Sequence, residues 1–128
     1  FAPFLGEDIL ESKKKYIDKY SKGNKQKIGI VSAMLTSSKL LILDEPFNYL
    51  DPSSQIQMKK LLQDYNQKYN TTVLLSSHNL RYVMDICSRI IVLQSGHIVQ
   101  DVSNLDEEAK ADIENYFEIQ KEKFTENQ

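Results

Sequence analysis

The stretch Lys39-Leu40-Leu41-Ile42-Leu43-Asp44-Glu45-Pro46-Phe47-Asn48-Tyr49-Leu50-Asp51-Pro52 decides the fold. Four apolar residues run without a break into two adjacent carboxylates and a proline. The apolar run is too short for a helix and reads as a strand buried on both faces, as in a parallel sheet. Burying its four side chains is worth about 6–12 kcal/mol, at about 1.5–3 each. In open α/β sheets, ligands bind outside the carboxyl ends of the strands, where Asp44 and Glu45 would stand. One acid there can hold Mg²⁺ through water, and the other can orient or deprotonate an attacking water. Taken alone, an Asp-Glu pair more often caps the next segment, so its meaning depends on what the chain places around it.

Upstream, Ile28, Val31, Ser32 and Leu35 recur at helical spacing within Lys22–Leu35. Before them lies a charged, helical stretch from Ile9 to Tyr20, in which Lys13, Lys14 and Lys15 read as a solvated face. Downstream, Asp51-Pro52-Ser53 opens a helix with proline in its first turn, carrying Ile56, Leu61, Leu62 and Tyr65. Thr71–Ser76 is a second β-rich run, and Leu80–Cys87 again has helical spacing. Arg89–Leu93 is a third strand, turned by Ser95-Gly96 into a hairpin partner, His97–Asp101. Leu105, Ala109, Ile113, Phe117 and Phe124 line a last helix, whose first turn suits Asp106, Glu107 and Glu108. Strands alternating with helices predict an α/β layer fold.

Composition sets few limits. The 128 residues suffice for one core, and a net charge of −2 gives no general attraction to nucleic acid or anionic lipid. No apolar run approaches the roughly 20 residues of a membrane span. Cys87 is the single cysteine, so no intrachain disulfide forms, and a cytosolic compartment is expected.

Two further clusters accompany the acids. Tyr20-Ser21-Lys22-Gly23-Asn24-Lys25-Gln26-Lys27 stands just before an amphipathic helix, where a hydroxyl and backbone N–H groups can meet an anion. Its plainer reading is a serine N-cap with a basic surface. Ser76-Ser77-His78-Asn79-Leu80 follows the second strand and sets His78 level with Asp44 and Glu45 if the strands are neighbours. Singly, such a histidine is more often a structural hydrogen-bonder. His97, in a hairpin turn, is given no role.

In this order the three clusters resemble the nucleotide-binding subunit of ATP-binding-cassette (ABC) transporters. Tyr20–Gln26 is similar to the signature motif, Leu40–Glu45 to the Walker B strand, Asn48–Asp51 to the D-loop and His78 to the switch histidine. The hairpin Ile90–Asp101 is similar to the one that follows in the family. The likeness covers roughly residues 13–101 and implies a P-loop NTPase-like α/β fold. It also implies catalytic roles for Glu45, which would polarise water, and for His78, which would contact the γ-phosphate. Asp44 would hold Mg²⁺ through water. Ser21, Lys22, Gly23, Asn24 and Asp51 would serve nucleotide binding, with Ser21 and Gly23 closing over the γ-phosphate and Asp51 coupling two sites across a dimer. The implied ligands are ATP and Mg²⁺. The implied partners are a transmembrane permease and a second ATPase subunit, with no nucleic acid, on the inner face of the cell membrane.

The sequence departs from the family pattern at Lys22, where a first glycine is common, and at Asn24, where glutamine is common. Tyr49 replaces a small D-loop residue, which puts that loop's packing in question. The YSKG form resembles bacterial exporters. The phosphate-cradling pattern G-x-x-x-x-G-K-[ST] needs glycines five apart, and no two of Gly6, Gly23, Gly29 and Gly96 are so spaced. No glutamine precedes Gln26. With the non-Met start, these features imply the C-terminal half of a cassette. Residues 1–20 would end the helical subdomain, 21–103 would be the second half of the ATPase core, and 104–128 a C-terminal helix and tail. Two alternatives stand beside the exporter reading: an ABC-type head of a DNA-repair or translation factor, and a truncated, non-hydrolysing interaction module.

Without P-loop amides and lysine, phosphates lose most of their positive surroundings. Calorimetry of the 128-residue chain with Mg-ATP is expected to show no tight binding. Stoichiometric micromolar binding would show that these residues hold phosphates without such a cradle.

Overall fold

The computed structural model describes residues 1–12 and 16–125, with side chains described up to residue 119. The Lys13–Lys15 face and the Phe124 side chain lie outside the described residues. The elements run α1 (Ala2–Leu5), α2 (Glu7–Leu10), a 3₁₀ turn (Ile17–Lys19), α3 (Lys22–Met34), β1 (Leu40–Leu43) and α4 (Pro52–Tyr69). They continue with β2 (Thr72–Leu75), α5 (Leu80–Ile86), β3 (Ile90–Gln94), β4 (His97–Val102) and α6 (Glu107–Thr125). The chain divides into two units, Phe1–His78 and Asn79–Gln128.

The first unit is built on a parallel β1–β2 pair, with Leu40 opposite Thr72, Leu41 opposite Val73, Ile42 opposite Leu74 and Leu43 opposite Leu75. Helices α3 and α4 pack on it. The pleat sends alternate side chains to opposite faces, and Leu41 and Leu43 are buried. Their neighbours Leu40 and Ile42 are 49% and 65% exposed, as is Leu74 at 54%. This corrects the expectation of a strand covered on both faces: the helices cover one face only. The apolar burial at β1 is therefore about half that expected, roughly 3–6 kcal/mol for two leucines.

The helix faces also turn slightly from the expected ones. In α3 the buried residues are Ile30, Val31 and Met34, while Leu35 is exposed beyond the helix end. In α4 they are Ser54, Met58, Leu62 and Tyr65, while Ile56 points to solvent. Both sets keep the i, i+3, i+4 stripe; Ile30 and Met34 of α3 and Ser54 and Met58 of α4 are buried residues that the sequence reading passed over. Polar bonds pin the helices to each other and join the segments that lead into the two strands. Tyr65 Oη donates to the Met34 carbonyl (2.6 Å) and Thr71 Oγ1 to the Ser38 carbonyl (3.0 Å). Asn66 Nδ2 donates to the Thr71 carbonyl (2.8 Å), and Asn70 ends α4 with a left-handed φ of 50°.

The second unit is an antiparallel hairpin, β3 with β4, around a core of Ile90, Val92 and Ile113. Leu80, Val83 and Met84 of α5 and Leu105 and Tyr116 pack against that core, with the half-buried thiol of Cys87. The turn residues Ser95 and Gly96 both take positive φ, as a two-residue hairpin turn requires. Asp106 caps α6 through the Ala109 amide (2.9 Å), as the acidic first turn predicts. Arg89 forks onto Asp101 across the hairpin at 2.8 and 2.6 Å, and that fork holds the Asp101 carboxyl below its ordinary range. No described helix is long and apolar enough to cross a membrane.

Leu40, Ile42 and Leu74 form an apolar row on a sheet of two strands. Open edges pair with other chains, and exposed apolar patches find partners. Light scattering of the purified chain is expected to give a mass above the monomer, and Ile42→Lys is expected to lower it. A wild-type monomer at high concentration, silent to hydrophobic dyes, would contradict this.

Candidate functional site at the strand exits

The register of β1 and β2 builds the site. Leu43 and Leu75 are opposite, so Asp44-Glu45 and Ser76-Ser77-His78 leave the sheet side by side. The Ser76 amide continues the ladder by donating to the Leu43 carbonyl (3.0 Å). Its hydroxyl then bridges the acids, accepting from the Glu45 amide (2.9 Å) and donating to Asp44 Oδ1 (2.5 Å). Glu45 Oε1 accepts the His78 amide (3.0 Å) and faces His78 Nδ1 at 2.9 Å. The structure therefore gathers Asp44, Glu45 and His78 into one hydrogen-bonded cluster. Among the described residues, the sequence reading had passed over Ser76. The signal was available, because the first residue after β2 must lie level with the first after β1.

Glu45 takes a left-handed φ of 46°. For a side chain with a Cβ this costs roughly 1–2 kcal/mol, which the Ser76 bond to its amide offsets by about 0.5–1.5 kcal/mol. The rest comes from the turn that follows. Pro46 occupies the second position of a turn closed by the Asn48 amide on the Glu45 carbonyl (3.1 Å), the place proline favours. Phe47 and Leu50 then anchor the turn in the core. Gln26 Nε2 of α3 also donates to the Glu45 carbonyl (3.3 Å), tying the signature-like helix to the acid turn.

The signature-like residues are held at the start of α3. Ser21 is the N-cap, its hydroxyl accepting the Asn24 amide (3.1 Å). Capping uses a lone pair and leaves the hydroxyl proton to donate. Gly23 packs so closely on the D-loop-like turn that a Cβ built there would lie 2.6 Å from the Tyr49 carbonyl oxygen. The Lys22 ammonium sits 5.3 Å from the centre of the Tyr49 ring, within cation–π range. Two of the three departures from the family pattern, Lys22 and Tyr49, thus meet each other. Asp51 caps α4, its two carboxylate oxygens accepting the Ser54 amide (3.0 Å) and hydroxyl (2.5 Å). The Ser54 hydroxyl bond, then its amide, holds the Asp51 carboxyl below the ordinary range.

The donor chemistry suits a hard cation held loosely. Among the described residues no group of three or more His, Cys, Asp or Glu could hold a metal ion. Asp44 offers a single carboxylate at an open strand end. That fits Mg²⁺, which keeps several waters and takes one or two carboxylates plus substrate phosphates.

The family model described as "ABC transporter" matches residues 5–48. The methionine import ATP-binding protein MetN 2 of Oceanobacillus iheyensis is 39% identical over 98 residues, covering 76% of this chain and 29% of the relative. The methionine import ATP-binding protein MetN of Streptococcus pneumoniae is 38% identical over 98 residues, covering 77% and 28%. The chain thus spans under a third of the length of these relatives. A solved ATP-binding subunit of an ABC transporter superposes with a TM-score of 0.70 at 30% identity, covering 79% of this chain and 42% of that one. The dimeric bacterial ABC transporter cassette MJ0796 gives the same TM-score at 20% identity, covering 79% and 43%. The expected α/β cassette fold is borne out, over part of the cassette.

The contact of Gly23 with Tyr49 predicts opposite outcomes for two glycines of one helix. Alanine is intrinsically the better helix former by about 1 kcal/mol. Gly29, with nothing within 4 Å of a built Cβ, should therefore gain stability as Gly29→Ala. At Gly23 the forced shift of the Tyr49 carbonyl should outweigh that gain, since overpacking costs about 1–3 kcal/mol. Urea unfolding of both variants checks this; a stabilised Gly23→Ala would refute the close approach.

Proposed function

We propose, for a chain homologous to the ATP-binding subunits of ABC transporters, that it supplies the hydrolytic acids and the signature of a transport ATPase. The observation that supports this best is the joining of Glu45 to His78 and of Asp44 to Ser76 at two aligned strand exits. Glu45 is the general base that takes a proton from the attacking water. His78, already on Glu45 Oε1, senses the γ-phosphate with its ring. Asp44 is the residue that would hold Mg²⁺, which would supply charge neutralisation at the phosphates. Ser21, Lys22, Gly23 and Asn24 present the N-terminus of α3 to the nucleotide of a second subunit. Asp51, as the α4 cap, ties that face to the acid turn. A phosphate cradle of G-x-x-x-x-G-K-[ST] type must come from sequence other than these 128 residues.

The division into 1–20, 21–103 and 104–128 belongs to this same proposal, as does a place beside a permease on the inner face of the membrane. The YSKG form suggested export, whereas both curated relatives named above are called import proteins. We therefore propose a transport ATPase whose permease sets direction and substrate. The missing phosphate cradle is the one observation behind the interaction-module reading, and the DNA-repair and translation readings rest on none.

The experiment is Glu45→Gln in the complete ATPase containing this chain. A general base is worth about 10²–10⁴ in rate, so hydrolysis should fall by that factor. ATP binding should survive, because the amide is isosteric, and the variant should accumulate as an ATP-bound dimer. An active Glu45→Gln enzyme would show the base to be misassigned.

A further inference from the structure

We infer that Ser76 is a positioning residue for the acid pair, setting the Asp44 carboxylate and the Glu45 peptide through one hydroxyl. The inference rests on the proposed reading of Asp44 and Glu45. Three consecutive residues of the β1 exit are bonded to this one residue of the β2 exit. Its amide donates to the Leu43 carbonyl (3.0 Å), its hydroxyl proton goes to Asp44 Oδ1 (2.5 Å), and its oxygen accepts the Glu45 amide (2.9 Å). A hydroxyl has one proton to give and two lone pairs. The proton and one pair are committed here, which fixes the rotor between two strands.

The location makes this more than ordinary strand packing. The ladder of β1 and β2 ends at Leu43 and Leu75, and beyond it the chain turns sharply through Glu45 at φ 46°. In that turn, past the end of the ladder, the Glu45 amide finds its acceptor in the Ser76 side chain. His78 holds the Glu45 carboxylate and Ser76 holds its backbone, so the base is gripped at both ends by one segment. The same hydroxyl limits rotation of the Asp44 carboxylate. A site of this kind loses rate when its acids drift by fractions of an ångström. Substrate affinity, by contrast, depends on phosphate contacts made elsewhere.

Threonine and valine at this position separate the hydroxyl from the shape. They are nearly isosteric and both suit a strand end, but only threonine keeps the donor and acceptor. The test is steady-state ATP hydrolysis by the complete ATPase containing this chain, with Glu45→Gln in parallel and urea midpoints for each variant. Ser76→Val is expected to lower kcat on the order of 10–100-fold, the usual effect of misplaced catalytic groups, with KM for ATP within about twofold. Ser76→Thr is expected to restore kcat to within about twofold, on the same hydrogen-bond grounds. If Ser76→Val does not fold, Ser76→Ala carries the same expectation. An inactive Glu45→Gln beside a fully active Ser76→Val would overturn the role of Ser76 alone. Equal losses in Ser76→Thr and Ser76→Val, or a rise in KM matching the loss, would also overturn it. An active Glu45→Gln would overturn the reading of the acids, and this inference with it.

Discussion

The parallel pairing of Leu40–Leu43 with Thr72–Leu75 is the constraint on which the site depends. In a strand, a slip of one residue sends every side chain to the opposite face. Here it would move His78 away from Glu45 and Ser76 away from Asp44. The register is held from both ends. The Thr72 amide donates to the Lys39 carbonyl at the start (2.9 Å) and the Ser76 amide to the Leu43 carbonyl at the finish (3.0 Å). Burial of Leu41 and Leu43 under α3 and α4 fixes which face is inward.

The helices do two jobs at once. The bond of Tyr65 to the Met34 carbonyl joins the end of α3 to α4, just before β1 begins. The opposite end of α3 carries Gly23 and Lys22 to Tyr49, and its middle carries Gln26 to Glu45. The acid turn is thus held by β2 on one side and by the signature-like helix on the other. Glycine at position 23 is required by that closeness, since any Cβ would meet a backbone oxygen. Lys22 and Tyr49 look like independent oddities in the sequence. In the fold they are partners, a long cationic stem laid over an exposed ring.

Much of this was legible in the sequence, because the signals were local and periodic. The strand Leu40–Leu43, the helix opened at Asp51-Pro52-Ser53 and the hairpin around Ser95-Gly96 all fell where composition and turn chemistry put them. What escaped was tertiary. An unbroken apolar run cannot report which of its faces is covered, so Ile42 was expected inside and stands outside. The buried stripes of α3 and α4 are turned from those the sequence suggested, so Ile30, Met34 and Met58 were missed as core. Ser76 was read as part of the approach to His78, because its two bonds to the acids exist only once the strands are paired. The helical cap formed by Ser21 was seen, and the structure gives it the plainer use alongside the proposed one.

Through-hydrogen-bond scalar couplings in the isotopically labelled, perdeuterated chain would test this pairing most directly. Couplings are expected from the Thr72 amide to the Lys39 carbonyl and from the Ser76 amide to the Leu43 carbonyl. Both would place Glu45 and His78 at the same strand end. Couplings shifted by one residue, or an antiparallel pattern between the same strands, would separate the acids from the histidine and contradict the site described.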